Sequence, residues 1–187
     1  MPVMIAMLRG VNLGAHNRMK MDALRDLCGA LELRDAQTYI QSGNIVFRTR
    51  QRNLVVLAKN IKGAIEKKFG FAPEVILRTA ADMRDVIARN PFAGMKDIHP
   101  GKLLVDFLAD NPPSEACQAV LSIKTDPEKL YADGRELYIY FPDGAGRSKL
   151  SWPALEKILK TPGTARNWNS VTKLLELAEK LEASSAF

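Results

Sequence analysis

The chain has 187 residues, 47% of them apolar, and a formal charge of +6. That length can bury one generous core or two small ones without disulfide or metal staples. The longest unbroken apolar run, Val3 to Leu8, is far short of the ~20 residues that span a bilayer, and Met1-Pro2 opens on it without a charged leader, so no membrane or export role is expected.

Val3 to Leu8 reads as a strand apolar on both sides, and Leu24, Leu27, Cys28 and Leu31 mark a helix after a polar loop. Gln37 to Arg48 alternates around Ser42-Gly43-Asn44, placing Thr38, Ile40, Ile45 and Phe47 on one side and Tyr39, Gln41, Asn44, Val46 and Arg48 on the other. That predicts a hairpin with one core face. Leu54, Ala58, Ile61 and Ile65 form a second helical stripe ending at Gly70, and Glu74 to Leu77 supplies another strand. A short helix after Thr79 ends before Pro91 and a polar stretch follows to Gly101.

The order then repeats. Lys102 to Leu108 reads as a strand, Ser114 to Leu121 as a helix, and Lys129 to Phe141 as a hairpin turning at Asp133-Gly134. Ser151 caps a further helix with Pro153 in its first turn. Instead of a clear last strand, Thr164 to Asn169 leads into a helix with apolar positions Val171, Leu174, Leu175, Ala178 and Leu181. The class is α+β, two βαββα(β) halves with an added C-terminal helix. The expected organisation is a first half over residues 1–79, a helical connector over 80–101, and a second half over 102–187.

In such a plait both helices pack on one sheet face, so each half is expected to keep an open face. In the second half it would carry Tyr131, Tyr138 and Tyr140, and meet solvent, the other half, a partner or a second copy in a homodimer. Charge distinguishes the halves. Residues 1–80 hold 13 basic against 6 acidic side chains, and the remainder 14 against 15, so only the first half carries a field attractive to anions.

Four segments hold more Gly, Asn, Arg and Ser than connection requires: Arg9 to Gly14, Gln41 to Asn44, Gly144 to Lys149, and Thr164 to Ser170. None contains an acid. Glycines let amides converge, arginine offers a planar fork, and helix starts favour negative charge, so the chemistry these segments offer is anion binding. The candidate ligand-binding residues are Arg9, Asn12, Ser42, Asn44, Arg147, Ser148, Lys149, Arg166, Asn167 and Asn169, with Arg147 and Arg166 expected close together and partly exposed. Turn and capping chemistry also accounts for these residues one at a time.

No complete dinucleotide or mononucleotide fingerprint occurs, and His16 and His99 with two helical cysteines give no metal spacing. No cofactor is expected. Cys28 and Cys117 read as buried thiols of a reducing, cytoplasmic compartment. Asp106, alternating inward on its strand, is the one carboxylate placed to act as an unusual base. Trp152 and Trp168 are expected in the core around the last helices.

Leu8-Arg9-Gly10-Val11-Asn12-Leu13-Gly14, Tyr39 to Phe47, Asn90-Pro91-Phe92, Gly146 to Leu150 and Thr164 to Asn169 together resemble, in order, the signature stretches of the bacterial family called domain of unknown function 1697. The resemblance implies a duplicated ferredoxin-like fold and no activity, substrate or catalytic residue. One departure is Thr164-Ala165, where the family commonly has two threonines. The leading expectation is an anion-binding protein whose partner is nucleic acid or a phosphorylated small molecule. The alternatives are an enzyme for a small phosphorylated or carboxylated substrate, using Arg9, Arg147 and Arg166 as a clamp, and an interaction protein using the open sheet face.

Overall fold

The computed structural model describes residues 1–184, so the last three residues assigned to the second half lie outside the described residues. Eight strands and six helices follow in the order β1 (Val3–Leu8), α1 (Met21–Ala30), β2 (Arg34–Tyr39), β3 (Asn44–Arg48), α2 (Leu54–Phe69), β4 (Val75–Thr79), α3 (Ala80–Ala88), β5 (Leu103–Leu108), α4 (Ser114–Leu121), β6 (Lys129–Asp133), β7 (Glu136–Tyr140), α5 (Trp152–Leu159), β8 (Gly163–Asn167) and α6 (Trp168–Ala183). Two antiparallel four-stranded sheets result, ordered β2-β3-β1-β4 and β6-β7-β5-β8. This is a ferredoxin-like arrangement made twice, with α6 added. By compactness the chain divides into Met1–Asp85 with Lys173 onward, and Val86–Thr172.

In the first unit, Met4, Ala6 and Leu8 of β1 and Ile45 and Phe47 of β3 share one core with Leu24 and Leu27 of α1 and Leu57, Ile61 and Ile65 of α2. Helix α2 starts where the Asn53 side chain accepts from Val55 N and Val56 N, and stops at left-handed Gly70. In the second unit Leu108, Leu137, Ile139 and Phe141 pack with Val120, Leu155 and Leu159. Trp152 joins that core, its ring 6.2 Å from Phe141, whereas Trp168 is only half-buried. Burial raises the Cys28 thiol to about 11, because a thiolate there would lose its water.

Four expectations are corrected. Ile40, placed with the core face, is half exposed and has φ +50°; β2 ends at Tyr39, and the turn carries the next side chain outward. The second hairpin pairs Asp133 with Glu136, so its turn is Gly134-Arg135, one residue later than expected. That moves the pairing by two residues, an even shift, and every side chain keeps its predicted face. The segment from Gly163 to Asn167, read as lacking a clear strand, is β8, paired along β5. Its Gly, Ala and Asn content hid it.

Fourth, the tyrosine face of the second sheet is not open. The Tyr138 hydroxyl donates to Val86 O at 2.8 Å and that of Tyr140 to Asp97 O at 2.9 Å. Phe92 lies against the Tyr140 ring, and both tyrosines are buried while Tyr131 remains exposed. The segment from Val86 to Asp97 therefore covers Tyr138 and Tyr140.

Register aligns the repeats residue by residue: Ile5 pairs with Val46 and Arg78, and Val105 with Tyr138 and Arg166. Arg78 and Arg166 are thus equivalent. Both are buried, and each donates through Nη1 to the carbonyl of the residue before it.

Gly43 sits at φ +74° with its Cα against Val11 and Leu8, and an added Cβ would lie 2.8 Å from Leu8 Cβ. Gly70 has a similar φ but open space around it. Gly43→Ala is therefore expected to lower the denaturation midpoint by an amount equivalent to about 2–4 kcal/mol, and Gly70→Ala by about 1, with unchanged m-values in urea titrations. Equal losses would show that backbone strain alone matters at Gly43.

Candidate functional site

The first two motif segments meet in the first unit. Where β1 ends, Leu8 N donates to Gly43 O and Arg9 N to Glu74 O, both at 2.9 Å. Asn12, in the left-handed region at φ +54°, is the tie. Its Nδ2 donates to Met19 O (2.9 Å) and Gln41 O (2.7 Å), while its Oδ1 accepts from Met19 N (2.7 Å). Asn17 closes the loop by donating to Gly10 O. Fully buried Asn44 donates to Tyr39 O (3.1 Å) and to Ser42 Oγ (2.8 Å). Asn12, Ser42 and Asn44 thus shape the site; Arg9 is half-buried beside them.

Beside this tie an open cleft of about 850 Å³ is lined by Asn12, Gly14, Arg18, Met19, Lys20, Met21, Asp22, Ala23, Gln41 and Phe69. Its charges are unequal. Arg18 and Lys20 are exposed, and among the described residues neither has an acidic partner. Asp22, by contrast, is paired with Arg25. Helix α1 begins at the cleft with Lys20 at its cap position and no side-chain cap. Lys68, its Nζ 5.8 Å from the Phe69 ring centre, donates to Ala23 O.

The other two segments lie at one end of the second sheet, tied to the turn Pro100–Lys102. Phe141 N donates to Lys102 O (2.9 Å), the Lys102 ammonium donates to Pro142 O, and Asn167 Nδ2 donates to Gly101 O (2.7 Å). Asn167 Oδ1 also accepts from Asn169 N (2.9 Å), which caps α6. Ser148 Oγ accepts from Leu150 N, Ser151 caps α5, and Arg147, Lys149 and Asn169 are exposed.

Arg166 does not meet the expectation of partial exposure. It is 7% exposed, a strand residue whose Nη1 donates to Thr164 Oγ1 (2.7 Å) and Ala165 O (3.0 Å). Burial pushes its pKa down to about 10, against the pull of the Asp106 carboxylate. Asp106 is itself buried and packs on Gly163, where a Cβ would fall 2.5 Å from Oδ1. The pair is built into the sheet. Among the described residues no group of three or more His, Cys, Asp and Glu is placed to hold a metal ion, and no helix is long and apolar enough to cross a membrane.

Residues 1–138 match the family model described as "Protein of unknown function (DUF1697)". The chain belongs to this family. The match ends at Tyr138, before the Gly146 to Leu150 and Thr164 to Asn169 motifs, so it contains the whole cleft of this DUF1697 protein. A solved structure of a conserved bacterial protein from Streptococcus pneumoniae is similar with a TM-score of 0.71 and 20% identity, covering 95% of this chain and 98% of that one. That likeness extends the shared fold over both halves. No curated protein matches the sequence.

Residue selection by motif missed Arg18, Lys20 and Gln41. Two signals in the sequence pointed to the first pair: two cations in an acid-free loop, and a helix start with lysine where a capping side chain belongs. Because Asn12 satisfies three backbone groups at once, Asn12→Ala is expected to cost about 1–3 kcal/mol and to speed amide exchange at Met19, whose N–H donates to it. Unchanged exchange at Met19 would show that the loop holds without the tie.

Proposed function

We propose that this protein binds a small anionic ligand and that the first unit's cleft is where it does so. The observation that carries this reading is the pair Arg18 and Lys20, exposed on the cleft and without an acidic partner among the described residues. An anion in the cleft is attracted by both charges. The surplus of basic side chains over residues 1–80 adds a long-range field of the same sign. The tie through Asn12 and Gly43 supports a preformed site, whose ordering cost is already met in the free protein.

The second unit's segments contribute less to this reading. Arg147 and Lys149 are exposed, yet burial withdraws Arg166 from any clamp with them, and Asn167 is committed to Gly101 and to the start of α6.

Pyrophosphate is expected to raise the melting temperature of the full chain in a concentration-dependent way, as binding to the folded state requires. The double variant R18A/K20A should melt near the wild type without ligand and lose the shift. Raising salt from ~50 to ~200 mM should weaken binding in the wild type. An equal shift in the variant would place the anion elsewhere, and no shift in either protein would remove anion binding altogether.

A further inference from the structure

Resting on that reading, we infer that the cleft takes a nucleoside phosphate, an anion carrying a flat heteroaromatic ring, in preference to a bare phosphate. A volume of about 850 Å³ is far larger than an inorganic oxyanion fills, and lies in the range of sites for whole organic ligands. The lining is divided. Arg18 and Lys20 supply cations, while the half-buried Met21, Ala23 and Phe69 present apolar surface in the same cleft. A bare anion would leave that surface wet, whereas a ring covers it.

The apolar side has the chemistry that suits a ring. Thioethers pack favourably against aromatic systems, and an aromatic side chain offers a stacking partner. Phe69 is half-buried, with Phe71 tilted against it at 6.3 Å between centres. Gln41 supplies the remaining element. Its main-chain oxygen is bound by Asn12, but its exposed side-chain amide has no partner among the described residues. A carboxamide presents a donor and an acceptor side by side, the pattern that pairs with the edge of a base. Asn12 cannot take that role, because its own amide is spent on Met19 and Gln41; it is a positioning residue.

The test compares inorganic phosphate, adenosine, AMP and a ten-residue oligonucleotide by calorimetry on the full chain, with wild type, R18A/K20A, Gln41→Ala and Phe69→Leu. AMP is expected to bind at least about tenfold more tightly than phosphate of similar charge. Gln41→Ala and Phe69→Leu should weaken AMP and leave phosphate unchanged, and R18A/K20A should reduce AMP to the level of adenosine. Gln41 is exposed, so its variant tests the ring contact even where Phe69→Leu fails to fold. Phosphate binding as tightly as AMP would overturn this inference and leave the anion reading standing. Adenosine binding as tightly as AMP would overturn the anion reading. Binding of the oligonucleotide alone would overturn the inference in favour of a nucleic-acid ligand.

Discussion

The contact of Gly43 with Val11 and Leu8 is the constraint on which the first unit's loop end depends. With no side chain at that position, the β2-β3 turn lies directly on the end of β1, and Leu8 N reaches Gly43 O. Only then is Gln41 O within reach of Asn12, which holds Met19 from both sides. Met19, Lys20 and Met21 form the entry to α1, so the cleft's shape follows from a backbone approach two segments away. Asn12 spends its amide on backbone groups and Asn44 on Tyr39 O and Ser42 Oγ, so in the proposed reading ligand contact falls to their neighbours.

The duplication explains why so many polar groups are buried. Equivalent positions carry Asn44 and Glu136, and Arg78 and Arg166, all sequestered. A buried guanidinium is tolerated only where local oxygens replace its water, and in both repeats the preceding strand carbonyl does so. The repeats differ in where they place their motif loops. The first half has them after β1 and at the β2-β3 turn, while the second has them after β7 and after β8, the opposite end of the common plan.

Periodicity made the fold legible wherever side chains alternate by burial. Thr38, Ile45 and Phe47 against Tyr39 and Val46 could be sorted by face because strand pairing preserves parity, and the second hairpin survived a misplaced turn for the same reason. Strand β8 was hidden because an edge strand ending in a helix cap uses residues that favour turns. The candidate site was legible only in part. Rows of Gly, Asn and Arg were read as ligand groups, yet a side-chain amide that braces a loop and one that meets a ligand are identical in sequence. What separates them is whether a backbone carbonyl lies within hydrogen-bond reach, a tertiary fact.

The first unit is discontinuous along the chain. Arg48 donates to Leu181 O and to Ser184 Oγ, and Arg84 pairs with Glu179 and Glu182; all four partners lie beyond Lys173, on the far side of the second unit in sequence. During vectorial synthesis the first unit's sheet therefore emerges well before the segment that completes its packing. Arg48, which also pairs with Asp35, and Arg84 wait for these C-terminal partners while the whole of Val86–Thr172 is made, an interval of several seconds at ~5–20 residues per second. A fragment cut at the unit boundary would retain both arginines and neither set of partners, so the compact unit and the expressible unit are different objects in this protein.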